Sequence, residues 1–180
     1  TNADNLFIRS GFSKNSIFYV QGNYGLFQCS RACHDQTYDN QDIIYKMLDY
    51  QRNTKNSLVI PSELIPYCPK CGAEMSPNIR KDNTFIQDDG WYEALERYEN
   101  FLSNCQYKKI IYLELGVGYN TPTIIKFPFW ELTISNPLAY YICVNSEVQE
   151  VPQVIKKQTH LINDDIYKFL LKYTKLTKIN

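Results

Sequence analysis

Four of the chain's six cysteines stand in two close pairs. Cys29 and Cys33 fall in Phe-Gln-Cys-Ser-Arg-Ala-Cys-His, and Cys68 and Cys71 in Tyr-Cys-Pro-Lys-Cys-Gly. Two such knuckles supply four thiolates, the ligand set of a closed, tetrahedral structural zinc. No position is left open for water, so the metal is expected to hold the fold and to carry no chemistry. The rival reading is four unrelated buried thiols. His34 adjoins Cys33 and reads as a neighbour of the site, because cysteine alone meets the ligand count. Cys105 and Cys143 stand apart.

A second candidate is the loop Gly116-Val117-Gly118-Tyr119-Asn120-Thr121-Pro122, which follows the largely apolar run Lys109 to Leu115. Glycines between a strand and a helix let backbone N–H groups approach phosphate or ribose. The same residues equally suit a plain tight turn, and the full dinucleotide fingerprint is not there. A third candidate is Asn2 and Asp4 with Gln21. An Asn and an Asp two residues apart beside a strand end could hold a carboxamide, or could simply cap a helix. Gln21-Gly22 could serve as a turn alone. His160, between a polar stretch and an apolar strand, reads as structural.

These residues need elements to position them. A short helix is expected over Asp4 to Gly11, stopped by Gly11, then a strand over Ser16 to Val20. A helix over Tyr38 to Tyr50, capped by Asp39 or Asn40, carries the stripe Ile43, Ile44, Met47 and Leu48. A polar loop follows over 53–57, and Pro61, Pro66 and Pro69 keep the approach to the second knuckle irregular. The helix over Gly90 to Asn104 is capped by Asp88 or Asp89 and repeats Trp91, Ala94, Leu95 and Tyr98 at helical spacing. Lys109 to Leu115 and Ala139 to Val144 read as buried strands. Between them a helix runs from Pro122 to Ile134, kinked at Pro128. A strand over Thr159 to Ile162 and a helix over Asp164 to Leu176 complete the order. Such alternation implies an α/β fold with a parallel sheet, and ligands of such sheets sit at the carboxyl ends of the strands. Those ends are Gln21, Gly116 to Asn120, Asn145 and Asn163 to Ile166. The stretch 24–86 reads as a small zinc-stapled insertion.

The chain has 180 residues, enough for one domain with a sizeable core. Nineteen basic and nineteen acidic residues leave no net charge and no electrostatic footprint for nucleic acid. No apolar run is long enough to cross a bilayer, and no signal peptide opens the chain. The expected location is therefore the cytoplasm, where reducing conditions favour thiolate-bound zinc over disulfides. The opening Thr1-Asn2-Ala3-Asp4 reads as the middle of a larger domain.

Taken together these residues resemble the sirtuins, the NAD-dependent deacylases and ADP-ribosyltransferases. Thr1-Asn2-Ala3-Asp4 is similar to the sirtuin Thr-Gln-Asn-Ile-Asp motif, and Phe18 to Gly22 to the strand ending in Leu-His-Gly. Gly116 to Pro122 stands where sirtuins have Gly-Thr-Ser-Leu, Val144-Asn145 matches Ile-Asn, and Asn163 to Ile166 matches Gly-Asp-Ala. The likeness is closest to the macrodomain-linked class M sirtuins, whose pattern residues 19–34, 66–72 and 114–122 follow almost throughout. The resemblance implies the carboxyl-terminal part of a Rossmann-like sheet, with segments 1–23 and 87–180 forming the NAD domain around the zinc-ribbon insertion 24–86. The amino-terminal half of the sirtuin fold, with its Gly-Ala-Gly-x-Ser phosphate loop, is absent from the sequence given, so residues 1–180 alone are expected to be inactive.

The implied substrate is NAD, with structural zinc on Cys29, Cys33, Cys68 and Cys71. Asn2 and Asp4 would orient the nicotinamide carboxamide and ribose. Gly116, Gly118, Asn145, Asp165 and Ile166 would line the adenosine side, and glycosidic cleavage would pass through an oxocarbenium-like state. The implied acceptor is a lipoylated carrier related to the glycine-cleavage H protein, with a macrodomain protein as functional associate and no nucleic acid or membrane partner. The usual catalytic histidine is Gln21 here, which favours ADP-ribosyl transfer over lysine deacylation. A non-catalytic zinc-ribbon binding module is the reading from another class.

Overall fold

The structure, a computed structural model, describes residues 2–54 and 59–176, with side chains to residue 173. Thr1 and most of the loop expected over 53–57 lie outside the described residues. The chain forms two compact units, Thr1–Asn100 and Phe101–Asn180, and the division falls inside one helix.

The first unit is built on an antiparallel sheet of order β2-β1-β3, with β1 Gly22–Cys29, β2 Tyr38–Asp39 and β3 Met75–Ile79. The register of β1 against β3 shifts between Asn23 and Phe27, a bulge that leaves Tyr24, Gly25 and Leu26 unpaired with β3. A buried amide pair locks this sheet to the chain that follows it. Asn78 Nδ2 donates to Gln28 Oε1 at 2.8 Å and to Ile86 O at 2.9 Å, while Ile86 N donates to Gln28 Oε1 at 3.0 Å. Buried amides need such partners to offset their lost water.

Several expectations are corrected in this unit. Ser16 to Val20 is no ladder strand. A 3-10 turn occupies Lys14–Ser16, Ile17 is extended, and the strand starts only at Gly22. The apolar run packs its side chains instead: Phe18 lies 5.1 Å from the Trp91 ring and 5.8 Å from Tyr98. The first helix is shorter than expected, α1 Leu6–Arg9, and Gly11 (φ 91°) does end it. Helix α2 covers Gln41–Asn53, starting three residues later than expected because Tyr38 and Asp39 pair with β1. Asp39 Oδ1 accepts from Gln41 N at 2.9 Å, whereas Asn40 turns away to donate to Tyr24 O. Helix α3, Asp89–Asn104, starts on Asp88, whose Oδ1 accepts from Trp91 N at 2.9 Å.

The second unit carries a parallel sheet of order β4-β5-β6, with β4 Ile110–Leu115, β5 Ala139–Asn145 and β6 Thr159–Asn163. Tyr112, Ala139, Tyr141, Cys143 and Ile155 form its buried core, with Phe129, Trp130 and Leu132 packed against them. Most of the burial lies on that face, although Val144 near the carboxyl end of β5 is buried on the other. Ile111 and Tyr140, paired across the sheet, point the other way and are 63% and 54% exposed. Helix α4, Lys126–Ser135, starts four residues later than expected, after a run of turns. Pro128 therefore falls in the first turn, where its missing N–H has no intrahelical partner to lose, and the expected mid-helix kink has no cause. The last helix, α5, spans Ile166–Leu176. No described helix is long and apolar enough to cross a membrane.

Candidate functional site

The four cysteines meet as their spacing requires. Their Sγ atoms all lie within 4.8 Å of one another. Cys29 stands 3.5 Å from Cys71, and Cys33 3.6 Å from Cys68. A tetrahedral thiolate site with metal–sulfur bonds of about 2.3 Å has sulfur–sulfur edges of about 3.8 Å, so this donor set fits such an ion. Local backbone explains the convergence. Strand β1 delivers Cys29, and Ser30 N donates to Glu74 O, which sets the first knuckle against the second. Cys68 N donates to Ala73 O at 2.7 Å and Gly72 N to Cys68 O at 2.9 Å, with Gly72 at φ 68° closing the turn.

Thiols this close cannot all ionise without a cation. Backbone N–H of Cys33, followed by that of Arg31 and the Cys33 and Cys71 thiols, pulls Cys29 down to about 6 against opposing desolvation. Desolvation and hydrogen bonds to the other three cysteines push Cys33 up to about 12. His34 sits just outside, its Nδ1 3.1 Å from Cys33 Sγ and its Nε2 2.8 Å from the Tyr38 hydroxyl.

Asn2, Asp4 and Gln21 all belong to the first unit. Tyr24 N donates to Ala3 O at 2.9 Å, which sets the 2–4 stretch against the start of β1. Asp4 Oδ1 accepts from Leu6 N at 3.0 Å in a local turn just ahead of α1, whose N-cap is Asn5 and not Asp4. Asn2 and Asp4 are exposed and Gln21 is half-buried. Gln21 occupies a turn closed by Gly22 at φ 90°, where a Cβ would stand 2.0 Å from Asn78 O. Sequence reasoning missed Arg80 at this turn. Its backbone N–H donates to Gln21 O at 3.0 Å, its Nε to Val20 O at 3.4 Å, and its guanidinium lies 4.4 Å over the Phe85 ring.

Gly116, Asn145, Asp165 and Ile166 come together in the second unit, at the carboxyl ends of the parallel strands. Gly116 (φ 67°) faces Ile166, whose Cδ1 would meet a Cβ there at 2.7 Å. Asn145 Nδ2 donates to Val117 O at 3.2 Å, and Asn145 Oδ1 accepts from Glu147 N at 3.0 Å. Asp165 Oδ1 accepts from Lys168 N at 3.0 Å and so caps α5. Gly118 faces open space, with nothing within 4 Å of where a Cβ would stand.

Beneath the glycine loop lies a polar cluster that no sequence signal announced. Lys126 and Glu114 are each 1% exposed and form an ion pair at 2.5 Å. Glu114 Oε2 accepts from the Tyr141 hydroxyl at 2.5 Å, and Oε1 from Cys143 Sγ at 3.3 Å. Burial, then the Glu114 charge, raises the Cys143 thiol to about 11. Burial and the Glu114 bond raise Tyr141 likewise.

No family model matches the chain. Its relatives nevertheless relate it to the protein ADP-ribosyltransferases, a transferase class that uses NAD. Over 167 residues, 92% of its length, it is 41% identical to a protein ADP-ribosyltransferase of Staphylococcus aureus strain Mu50. Over 137 residues, 74% of its length, it is 31% identical to a probable bifunctional ADP-ribose hydrolase/ADP-ribosyltransferase of Fusarium oxysporum f. sp. cubense. The chain spans 52% of the first relative and 23% of the second.

Proposed function

We propose that this chain is part of an NAD-dependent protein mono-ADP-ribosyltransferase of the sirtuin type, which modifies a lipoylated carrier related to the glycine-cleavage H protein and releases nicotinamide. The observation that carries the reading is the 41% identity to a protein ADP-ribosyltransferase across almost the whole chain. The convergence of Gly116, Asn145, Asp165 and Ile166 on one sheet edge supports it, since that is where parallel sheets bind nucleotides.

In this reading the Gly116–Gly118 backbone, Asn145, Asp165 and Ile166 border adenosine. Asn2 and Asp4 hold the carboxamide and ribose, and Gln21 orients them by hydrogen bonding. Zinc is the metal on the four cysteines, and it cross-links the end of β1 to the second knuckle. Residues 24–86 act as the insertion that carries it. The remainder of the NAD site, including a phosphate loop, belongs to the rest of such an enzyme. A macrodomain protein serves as functional associate, a pairing supported by the joint hydrolase and transferase name of the Fusarium relative.

The test incubates the full-length protein with NAD and the carrier, with and without its lipoyl group. ADP-ribose should appear on the lipoylated carrier with matching nicotinamide release. No nicotinamide release, or lysine deacylation in its place, overturns the reading.

A further inference from the structure

Burying a lysine is costly unless its ammonium is fully paired, and the partners of Lys126 show what the pairing is for. Lys126 is the first residue of α4 and is 1% exposed. Its Nζ donates to Glu114 Oε1 at 2.5 Å and to Gln149 Oε1 at 3.0 Å, and lies 5.1 Å from the centre of the Tyr119 ring. Glu114 belongs to β4, two residues before the glycine loop begins. Tyr119 lies within that loop, and Gln149 lies in the loop after β5. One ammonium thus joins the two loops at the carboxyl edge of the sheet and the start of α4.

A buried ion pair of this kind is weak support for stability, because an apolar pair of similar volume often does as well. Its distinguishing product is geometry: the Lys126 bonds hold in fixed relation two loops that apolar contact would let slide. Glu114 is itself held by Tyr141 and Cys143 from the core strand β5, so the joint is referenced to the rigid sheet.

We propose that Lys126 is a positioning residue for the nucleotide, which sets the spacing of the 116–122 and 145–152 loops that embrace it. This rests on the reading that this edge takes NAD. Because Lys126 lies below the loops and touches no reacting atom in that reading, its loss should weaken NAD binding and leave the chemical step near its normal rate.

The experiment measures NAD affinity by calorimetry, and KM and kcat for transfer, in the full-length protein. Lys126→Met should lower Tm, since it strands the Glu114 carboxylate, and should raise KM for NAD on the order of tenfold. The double variant Lys126→Met/Glu114→Gln should regain most of the lost Tm, yet keep the raised KM with kcat within about twofold. Tyr119→Leu, at a position 54% exposed, should raise KM about threefold with Tm unchanged. Gly118→Val serves as the control for the edge itself, because a Cβ there meets no protein atom within 4 Å. If Gly118→Val raises KM while the double variant binds NAD normally, Lys126 is merely structural and the proposal falls alone. If Gly118→Val binds NAD normally, the edge is not the nucleotide site, and both readings fall together.

Discussion

Cys29 and Cys68 are buried while Cys33 and Cys71 reach the surface, so the four-thiol cluster is exposed on the side of Cys33 and Cys71. His34 occupies that side and links Cys33 to the Tyr38 hydroxyl, the outer support that metal ligands commonly have. Removing one thiolate from a closed four-ligand site leaves a hole that serine fills poorly. Cys68→Ser is therefore expected to reduce bound zinc from one ion per chain to near none, by metal analysis of purified protein. Because metal binding and local folding are coupled, the knuckles should become protease-sensitive in the same variant. Zinc content unchanged by Cys68→Ser would refute the four-thiolate site.

Gly22 shows how one residue sets an element. It begins β1 at φ 90°, and an added Cβ would stand 2.0 Å from Asn78 O and 2.8 Å from the Phe85 ring. Asn78 is buried and bonded at both ends of its neighbourhood, so it has little freedom to withdraw. Gly22→Ala should cost about 2–4 kcal/mol, from backbone strain and overpacking together. Denaturant unfolding checks this, and a cost below about 0.5 kcal/mol would mean the turn is adaptable. At this scale the sequence was legible wherever apolar periodicity and burial agreed. The parallel strands β4, β5 and β6 and helix α3 fall within about a residue of where their patterns place them. The cysteine spacing foretold the convergence of the four thiols as directly. The antiparallel pair β1 and β3 was not legible, since one strand carries two glycines and a bulge and the other carries Pro77. The apolar run before Gly22 mimicked a strand but feeds an aromatic cluster with Trp91 and Tyr98. The Lys126–Glu114 joint was invisible because each charge sits singly in an apolar stretch, and only folding brings the two together.

At the scale of the whole molecule, the proposed transfer needs an acceptor group on a partner, and the chemistry at Gln21 narrows which group it would be. A deacylating enzyme of this type needs a base to activate a ribose hydroxyl, a role that suits histidine because its pKa lies near neutral pH. The amide of Gln21 cannot take up a proton in that range and can only donate or accept hydrogen bonds. Its half-buried turn, pinned by the Arg80 N–H on its carbonyl, suits positioning. An amine acceptor would need to lose a proton before attack, with no base supplied at this turn. A carboxylate is already an anion at neutral pH and can trap a cation-like sugar carbon directly. The expected linkage is therefore an ester to an Asp or Glu of the acceptor protein. Digestion of the modified carrier and mass spectrometry should place ADP-ribose on an acidic residue, and neutral hydroxylamine should release it. Gln21→Ala should slow transfer about ten- to a hundredfold through lost positioning, while the pH–rate profile keeps its shape because no titrating group has been removed. ADP-ribose on Lys or Arg, or a pH profile that loses a limb in Gln21→Ala, would defeat the argument.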